Sequence, residues 1–521
     1  MNWTLVLSIA LALSASGTAA DRRVSVTVDS SAHAEPLTGR VYVAFAREAG
    51  RRTPIRQAGS TGAPLYGKNV EGLRPGDAVV FDGDDFGHPV ASLNDLPNGT
   101  YHVQPFVNVY TRFERKDGHV VWVHEDQGEG QNWRRSPGNL FGDPVEVELG
   151  PDSVIGLVCD RVIDPIDPPA DTEMVKRFRM KSPMLSDWWG ANVFFGATVL
   201  LPKGFDDHPD ARYPIVYQHG HFSTRAPGGF GRGREFDRFW LADETPRFLL
   251  ATIQHPTPYY DDSYAVNSEN NGPYGDALVK ELMPEVERRF RAIGEPRARF
   301  LTGGSTGGWE ALAQQVFYPE FFNGCWALCP DSVDFRAHQI VNVYEDDNAY
   351  WIEHGFTRVE RPCRRRTDGN IVEMMKDENH YELVVGDRSR SGGQWDIWEA
   401  TFSPVGDDGY PRRIWDKRTG AIDHEVAEFW RKNYDLRHIL ETEWERLGPM
   451  LAGKIHVYVG DMDNYYLNNG VKMLETFLAS TRDPHFAGVV EYGDGEPHCW
   501  GPSLAELIPL MARRVESSRD E

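Results

Sequence analysis

The stretch Phe300-Leu301-Thr302-Gly303-Gly304-Ser305-Thr306-Gly307-Gly308-Trp309 constrains this chain more than any other. A short apolar run, Arg299 to Thr302, meets the pattern Gly303-x-Ser305-x-Gly307. It then passes into a helical pattern, Trp309 to Tyr318, which Pro319 follows. Strand, sharp turn and helix in that order predict a serine held exposed on a strained turn. The glycines follow from that geometry, because a Cβ at 303 or 307 would press on the neighbouring strand or helix. An ordinary Gly-rich strand-to-helix turn shares the five-residue pattern, so the rest of the chain has to supply the chemistry.

A serine hydroxyl is a weak nucleophile at neutral pH and needs a base, which in turn needs an orienting acid. Downstream, Ile455 to Gly460 reads as a strand ending in Gly460-Asp461-Met462-Asp463-Asn464. The next strand, Val489 to Tyr492, leads into Gly493-Asp494-Gly495-Glu496-Pro497-His498-Cys499-Trp500. An acid at the end of one strand and a histidine in the loop after the next give the order serine, acid, histidine. His498 is the expected base and Asp463 the expected acid, by its Gly-x-x-Asp spacing. Asp461 is the alternative acid, or else a helix cap. Asp331 or Asp334, after the Cys325 strand, is a third position. A tetrahedral intermediate needs two preorganised N–H donors. The expected oxyanion donors are the backbone of Thr306, at a helix N-terminus, and of His221 in the loop His219-Gly220-His221 after the strand Ile215 to His219.

At 521 residues the chain is too long for one ordinary core. From Arg23 to about residue 150 short runs alternate with a period of two, among them Val24 to Val28, Gly39 to Phe45, Tyr101 to Phe106, Val120 to Val123 and Val145 to Leu149. Turn signals such as Asn98-Gly99 and Asp117-Gly118 separate them. A β-sandwich over 21–160 is expected, and Asp82-Gly83-Asp84-Asp85 is read as a solvated acidic turn. The Pro- and Asp-rich stretch beginning at Asp164 predicts a linker over 161–181. Over 182–521 continuous apolar strands alternate with helical stretches. One helix carries Leu278, Leu282, Val286 and Phe290 on a single stripe. That alternation predicts a mostly parallel sheet covered on both faces. An insertion over 331–453 has few strand-like runs and holds Trp351, Trp395, Trp398, Trp415, Trp430 and Trp444. They are expected chiefly to pack a helical cap, with one or two available to line an apolar or sugar-stacking pocket. The polar loop Asp262 to Asp276 is read as turns and caps, with a pocket-facing role as the alternative.

The formal net charge of −23, from 55 basic and 78 acidic side chains, disfavours nucleic acid and anionic membrane surfaces as partners. Leu5 to Leu13 is apolar and Ser14 to Ala20 is small. This resembles a signal peptide over 1–20 cleaved before Asp21, though Met1-Asn2-Trp3-Thr4 lacks Lys and Arg. A secreted or periplasmic address follows, with no membrane insertion after cleavage. The five cysteines, an odd number, leave at least one thiol unpaired, and Cys325 and Cys329 are read as buried packing rather than a metal clip.

Taken together, the His219-Gly220 loop, Gly303 to Leu312, Tyr318-Pro319-Glu320-Phe321-Phe322, Gly460-x-x-Asp463 and His498-x-Trp500 resemble the Putative esterase family of α/β hydrolases. Esterase D (S-formylglutathione hydrolase), feruloyl esterases and enterochelin esterases are members, and a leading β-sandwich is similar to the enterochelin-esterase layout. The resemblance covers about residues 182–502. Two features depart from it: the insertion is larger than in compact members, and residue 306 is Thr where many carry Met. The resemblance implies an α/β-hydrolase fold preceded by an all-β sandwich. It also implies a carboxylic ester hydrolase using Ser305, His498 and Asp463, with a small-molecule or glycan-linked ester as substrate and neither metal nor organic cofactor. A serine peptidase on the same fold and a non-catalytic glycan-binding scaffold are the rivals.

Overall fold

The computed structural model describes residues 21–518, so the expected signal peptide lies outside the described residues. Two sheets face each other in the N-terminal region. In the smaller, Arg23–Val28 lies between Val154–Cys159, which is parallel to it, and Val79–Phe81, which is antiparallel. The larger has seven strands, with Leu37–Ala46 paired antiparallel to both Leu65–Leu73 and Gly99–Val109. Val24, Val26 and Val28 point inward and pack against Val41, Val43 and Phe45, as the period-two pattern requires. Leu37–Ala46, however, is buried along nearly its whole length. Its outer face, with Tyr42 and Ala44, joins Leu65, Phe106 and Trp133 in a second cluster that reaches Val384 and Val385 of the insertion. Arg40 Nε donates to the Val384 carbonyl at 2.9 Å and the Tyr42 hydroxyl to that of Val385. The sandwich is therefore seated on the C-terminal region by a mixed apolar and hydrogen-bonded contact.

The expected linker, 161–181, is shorter in the structure. Arg161–Val162 still pairs with Leu140–Phe141, and Val175–Lys181 is already an edge strand of the next sheet. Proline and aspartate excluded regular pairing only between these two strands. The second sheet has eight strands: β1 (Val175–Lys181), β2 (Phe194–Leu200), β3 (Ile215–His219), β4 (Leu249–Gln254), β5 (Arg299–Gly304), β6 (Cys325–Leu328), β7 (Ile455–Gly460) and β8 (Val489–Gly493). Their order is β1-β2-β4-β3-β5-β6-β7-β8; β2 pairs antiparallel with both β1 and β4, and all other neighbours pair parallel. Strands β2 to β6 are almost continuously buried because helices cover both faces. The strand carboxyl ends form one edge, where β5 hands over to helix α1 (Thr306–Phe317).

The stripe Leu278, Leu282 and Val286 is fully buried, but its helix is not uniform. A π-helical segment, Leu278–Leu282, joins Tyr274–Ala277 to Met283–Arg289. The insertion after β6 carries two small hairpins and the helices α2 (Met375–Val385), α3 (Gln394–Phe402), α4 (His424–Asn433) and α5 (Leu436–Leu451). Trp395, Trp398, Trp415 and Trp430 converge on His338 and Phe335 in this core, so packing accounts for them. Among the described residues no helix is long and apolar enough to cross a membrane.

Candidate active site

Ser305 sits between β5 and α1 with φ 60° and ψ −127°, a backbone region that costs a non-glycine residue about 1–3 kcal/mol. Neighbours hold it there. Its N–H donates to the Leu328 carbonyl at 3.0 Å, and its carbonyl accepts from Gly308 N at 2.8 Å and Trp309 N at 3.1 Å. A Cβ on Gly307 would strike the His219 carbonyl and one on Gly303 would strike Gly307, so strand, turn and helix close up only with glycine at both places. Thr306 opens α1, and its N–H is one of those a helix leaves without an internal acceptor.

The loops after β7 and β8 meet beside this turn. His498 Nδ1 lies 2.7 Å from Asp463 Oδ2. Asp463 is fully buried, and its other oxygen accepts from Tyr465 N at 2.8 Å and Leu467 N at 3.2 Å. The His498 N–H donates to Asn464 Oδ1 at 3.0 Å, and the Tyr465 ring lies edge-on to the imidazole. Burial opposes a charge on His498, but the hydrogen bonds to Asp463 and Cys499 outweigh it and push its pKa up to about 10. Asp461 accepts instead from Gly495 N at 2.7 Å and so braces the loop that carries His498. Asp334 caps the turn at Phe335 and pairs with Arg336.

Asp331 does not touch His498; it faces the serine. The Ser305 hydroxyl donates to Asp331 Oδ1 at 3.4 Å. The other carboxylate oxygen accepts from Tyr264 Oη at 2.6 Å, Thr306 Oγ1 at 3.1 Å and Gln394 Nε2 at 3.3 Å. Burial raises the Asp331 pKa. Tyr264 Oη also accepts from Trp398 Nε1 at 2.6 Å, so the loop Asp262 to Asp276 does reach the site. Strand position made Asp331 visible in the sequence. Tyr264 was visible only as part of the loop Asp262 to Asp276, and Gln394 carried no local signal, because it reaches Asp331 from an insertion helix.

His221 lies in the loop after β3 with its ring half exposed. Its Nδ1 is 3.1 Å from Asp261 Oδ1 and 3.6 Å from Asp262 Oδ2. Desolvation works against its charge, but Asp261, then Asp262 and Asp331, hold the pKa up at about 9. A cavity of about 400 Å³ opens beside His221, Tyr260 and Asp261. Trp133 and Arg134 of the sandwich and Tyr381 of the insertion also line it. Tyr260 Oη donates to Gln394 Oε1 at 2.6 Å, which links this cavity to the Asp331 cluster. A larger hollow of about 620 Å³ around Lys116, Trp188 and Tyr434 contains none of these residues.

Under the turn, Glu310 is completely buried between His219 and His255, at 3.6 Å and 3.7 Å. Burial raises Glu310 strongly and lowers His219 to about 4 and His255 to about 3. The Ser263 N–H donates to His255 Nδ1 at 3.0 Å, which leaves the His255 proton on Nε2, facing Glu310. His219 Nε2 meets Gln314 Oε1 at 3.0 Å, so its Nδ1 faces Glu310 as an acceptor. At these distances no hydrogen bond joins Glu310 to either ring, and burial favours the uncharged form of all three groups beneath α1.

An eight-stranded sheet in this order, with a serine on a strained turn after its fifth strand, defines the α/β-hydrolase class. Residues 195–405 match the family described as Putative esterase, which supports a carboxylic ester hydrolase. No curated protein matches it. Solved structures that resemble it include a ferulic acid esterase, at 17% identity and a TM-score of 0.37, covering 66% of this chain and 99% of that one. Another is fluorophosphonate-binding serine hydrolase F of Staphylococcus aureus, at 15% and 0.36, covering 65% and 98%. A third is an S-formylglutathione hydrolase from Agrobacterium tumefaciens, at 12% and 0.32, covering 67% and 93%.

Proposed function

We propose that this protein is an exported serine esterase acting through an acyl-enzyme on Ser305. The observation that carries the reading is the 2.7 Å contact between His498 and buried Asp463, on loops that close beside the strained Ser305 turn. In this mechanism the Ser305 hydroxyl turns from Asp331 to His498 Nε2 and attacks the ester carbonyl as His498 takes its proton. Asp463 keeps Nδ1 protonated and stabilises the imidazolium. The N–H groups of Thr306 and His221 receive the developing oxyanion. His498 then protonates the departing alcohol, and water repeats the sequence on the acyl-enzyme. A small-molecule or glycan-linked ester is the substrate, and the cavity beside His221, at Trp133, Tyr260 and Tyr381, receives the part of it remote from Ser305. Export rests on the apolar run Leu5 to Leu13 and the small residues after it.

The test is labelling by a fluorophosphonate probe, comparing the mature protein with Ser305→Ala and His498→Ala. Labelling of the parent alone is expected, followed by turnover within a panel of aryl, acetyl-sugar and siderophore-type esters. A folded parent that fails to label overturns the proposal. Export predicts a mature N-terminus at Asp21.

A further inference from the structure

Two cysteines that the proposed reaction does not use flank its base. Cys329 follows β6 and is buried; Cys499 follows His498 and is exposed. They are 170 positions apart in the chain, yet their Sγ atoms lie 3.1 Å from each other. That is inside the roughly 3.5–4.0 Å at which non-bonded heavy atoms settle. Both backbones are left-handed, with φ 38° at Cys329 and 63° at Cys499, a region that non-glycine residues seldom occupy. The Ser305 N–H points at Cys329 Sγ from 3.3 Å, and His498 Nε2 lies 4.0 Å from the same sulfur. Gly304 leaves room for the pair, since a Cβ there would come within 3.2 Å of Cys499 Sγ. All five cysteines are free thiols in this structure, and Cys159, Cys325 and Cys363 are buried away from this pair.

We propose that Cys329 and Cys499 form a disulfide that ties the His498 loop to the end of β6, beside the Ser305 turn, and that the enzyme works best with this bond closed. The inference deepens the serine-esterase reading and rests on it for the effect on activity, though not for the bond. The two thiols are suited to unequal roles. A hydrogen bond from Cys329 and the neighbouring His498 outweigh burial and pull Cys499 down to about 5, while burial raises Cys329. With a low-molecular-weight disulfide such as oxidised glutathione as oxidant, the Cys499 thiolate attacks one sulfur and expels a glutathione thiolate. That thiolate takes the proton of Cys329, whose sulfur attacks Cys499 Sγ and expels the second thiolate. Two electrons pass from the protein to the oxidant, which leaves as one thiol and one thiolate. In the open state the Cys499 thiolate adds to Asp463 in holding His498 charged, and a charged imidazole cannot accept the Ser305 proton. Tyr465, Asn464, Cys329 and the charge of Asp331 are the other groups facing the ring. Closing the bond removes the Cys499 charge from this group.

The protein is equilibrated with oxidised or reduced glutathione, alkylated, digested without reductant and mapped by mass spectrometry. Its labelling rate with the fluorophosphonate probe is measured in both states. The expected results are a Cys329–Cys499 linked peptide in the oxidised sample and labelling at least tenfold slower after reduction, restored by reoxidation. Cys329→Ser should label at the slow rate in both buffers. Alkylation of both thiols in the oxidised sample overturns the bond. So does protection of both without a linked peptide, if a chelator reverses it, since these two sulfurs and His498 then hold a metal. A linked peptide with equal labelling in both states overturns the effect on activity. A linked peptide with no labelling in either state sustains the bond and overturns only the hydrolase reading.

Discussion

Asp463→Asn separates the orientation of His498 from the rest of its chemistry. The amide has the shape of the carboxylate, and its oxygen can keep the hydrogen bonds from Tyr465 N and Leu467 N, so the turn survives. What changes is the group 2.7 Å from His498 Nδ1. A carboxylate accepts Nδ1–H, whereas an amide NH₂ donates. The imidazole must then turn its Nδ1 lone pair to residue 463 and carry its proton on Nε2, the nitrogen that has to receive the Ser305 proton. A charge-assisted hydrogen bond contributes about 1.5–3 kcal/mol. Asp463 is fully buried, which puts this one at the upper end. At 1.36 kcal/mol per tenfold, that alone is roughly a hundredfold. The tautomer penalty adds to it, and the same change in other serine triads reaches about 10⁴. A fall of about 10²–10⁴ in the second-order rate of fluorophosphonate labelling is therefore expected, with a thermal midpoint by circular dichroism close to the parent's. A folded Asn variant labelling within tenfold of the parent would refute the argument.

Other perturbations have equally definite outcomes. Gly307→Ala places a methyl against the His219 carbonyl, so unfolding in urea should show a loss of about 1–3 kcal/mol, with slowed labelling. Glu310→Gln should hold stability within about 1 kcal/mol, because burial already keeps the native carboxyl protonated. Because that group's folded pKa is raised, the parent loses stability as pH rises above about 4.5. The variant should show a flatter fall between pH 5 and 8, whereas an equally steep one would mean Glu310 is ionised in the fold. His498 shifts the same way, so its contribution is fully present below about 6.5 and is lost as pH rises through about 10. Its basic form appears over that range, so labelling of the reduced protein should climb from pH 7 to 10. A flat profile would contradict the charged imidazole.

The strand-to-helix turn at Ser305, the two-part architecture and the carboxyl-end loops bearing Asp463 and His498 were legible because each depends on short-range rules. Alternation sets a strand's faces, glycine permits close approach, and chain order in a parallel sheet follows strand order. Asp331 was visible only as an acid after a strand, and its contact with the Ser305 hydroxyl was not. Nor was the seating of Leu37–Ala46 on the insertion, since a strand buried on both faces has lost the alternation that identifies its partner. The linker was read too long because proline and aspartate mark where pairing fails, not where it resumes.

The sequence by itself determined the elements and the residues able to carry ester chemistry. Only the tertiary structure decided which acid faces the histidine and which faces the serine, that Tyr264 and Gln394 close over Asp331, and that Cys329 and Cys499 meet beside His498. Those contacts join side chains from loops far apart in sequence. Their distances are set by how helices and insertion pack around the sheet, a global balance of buried volume and satisfied hydrogen bonds that no local pattern encodes.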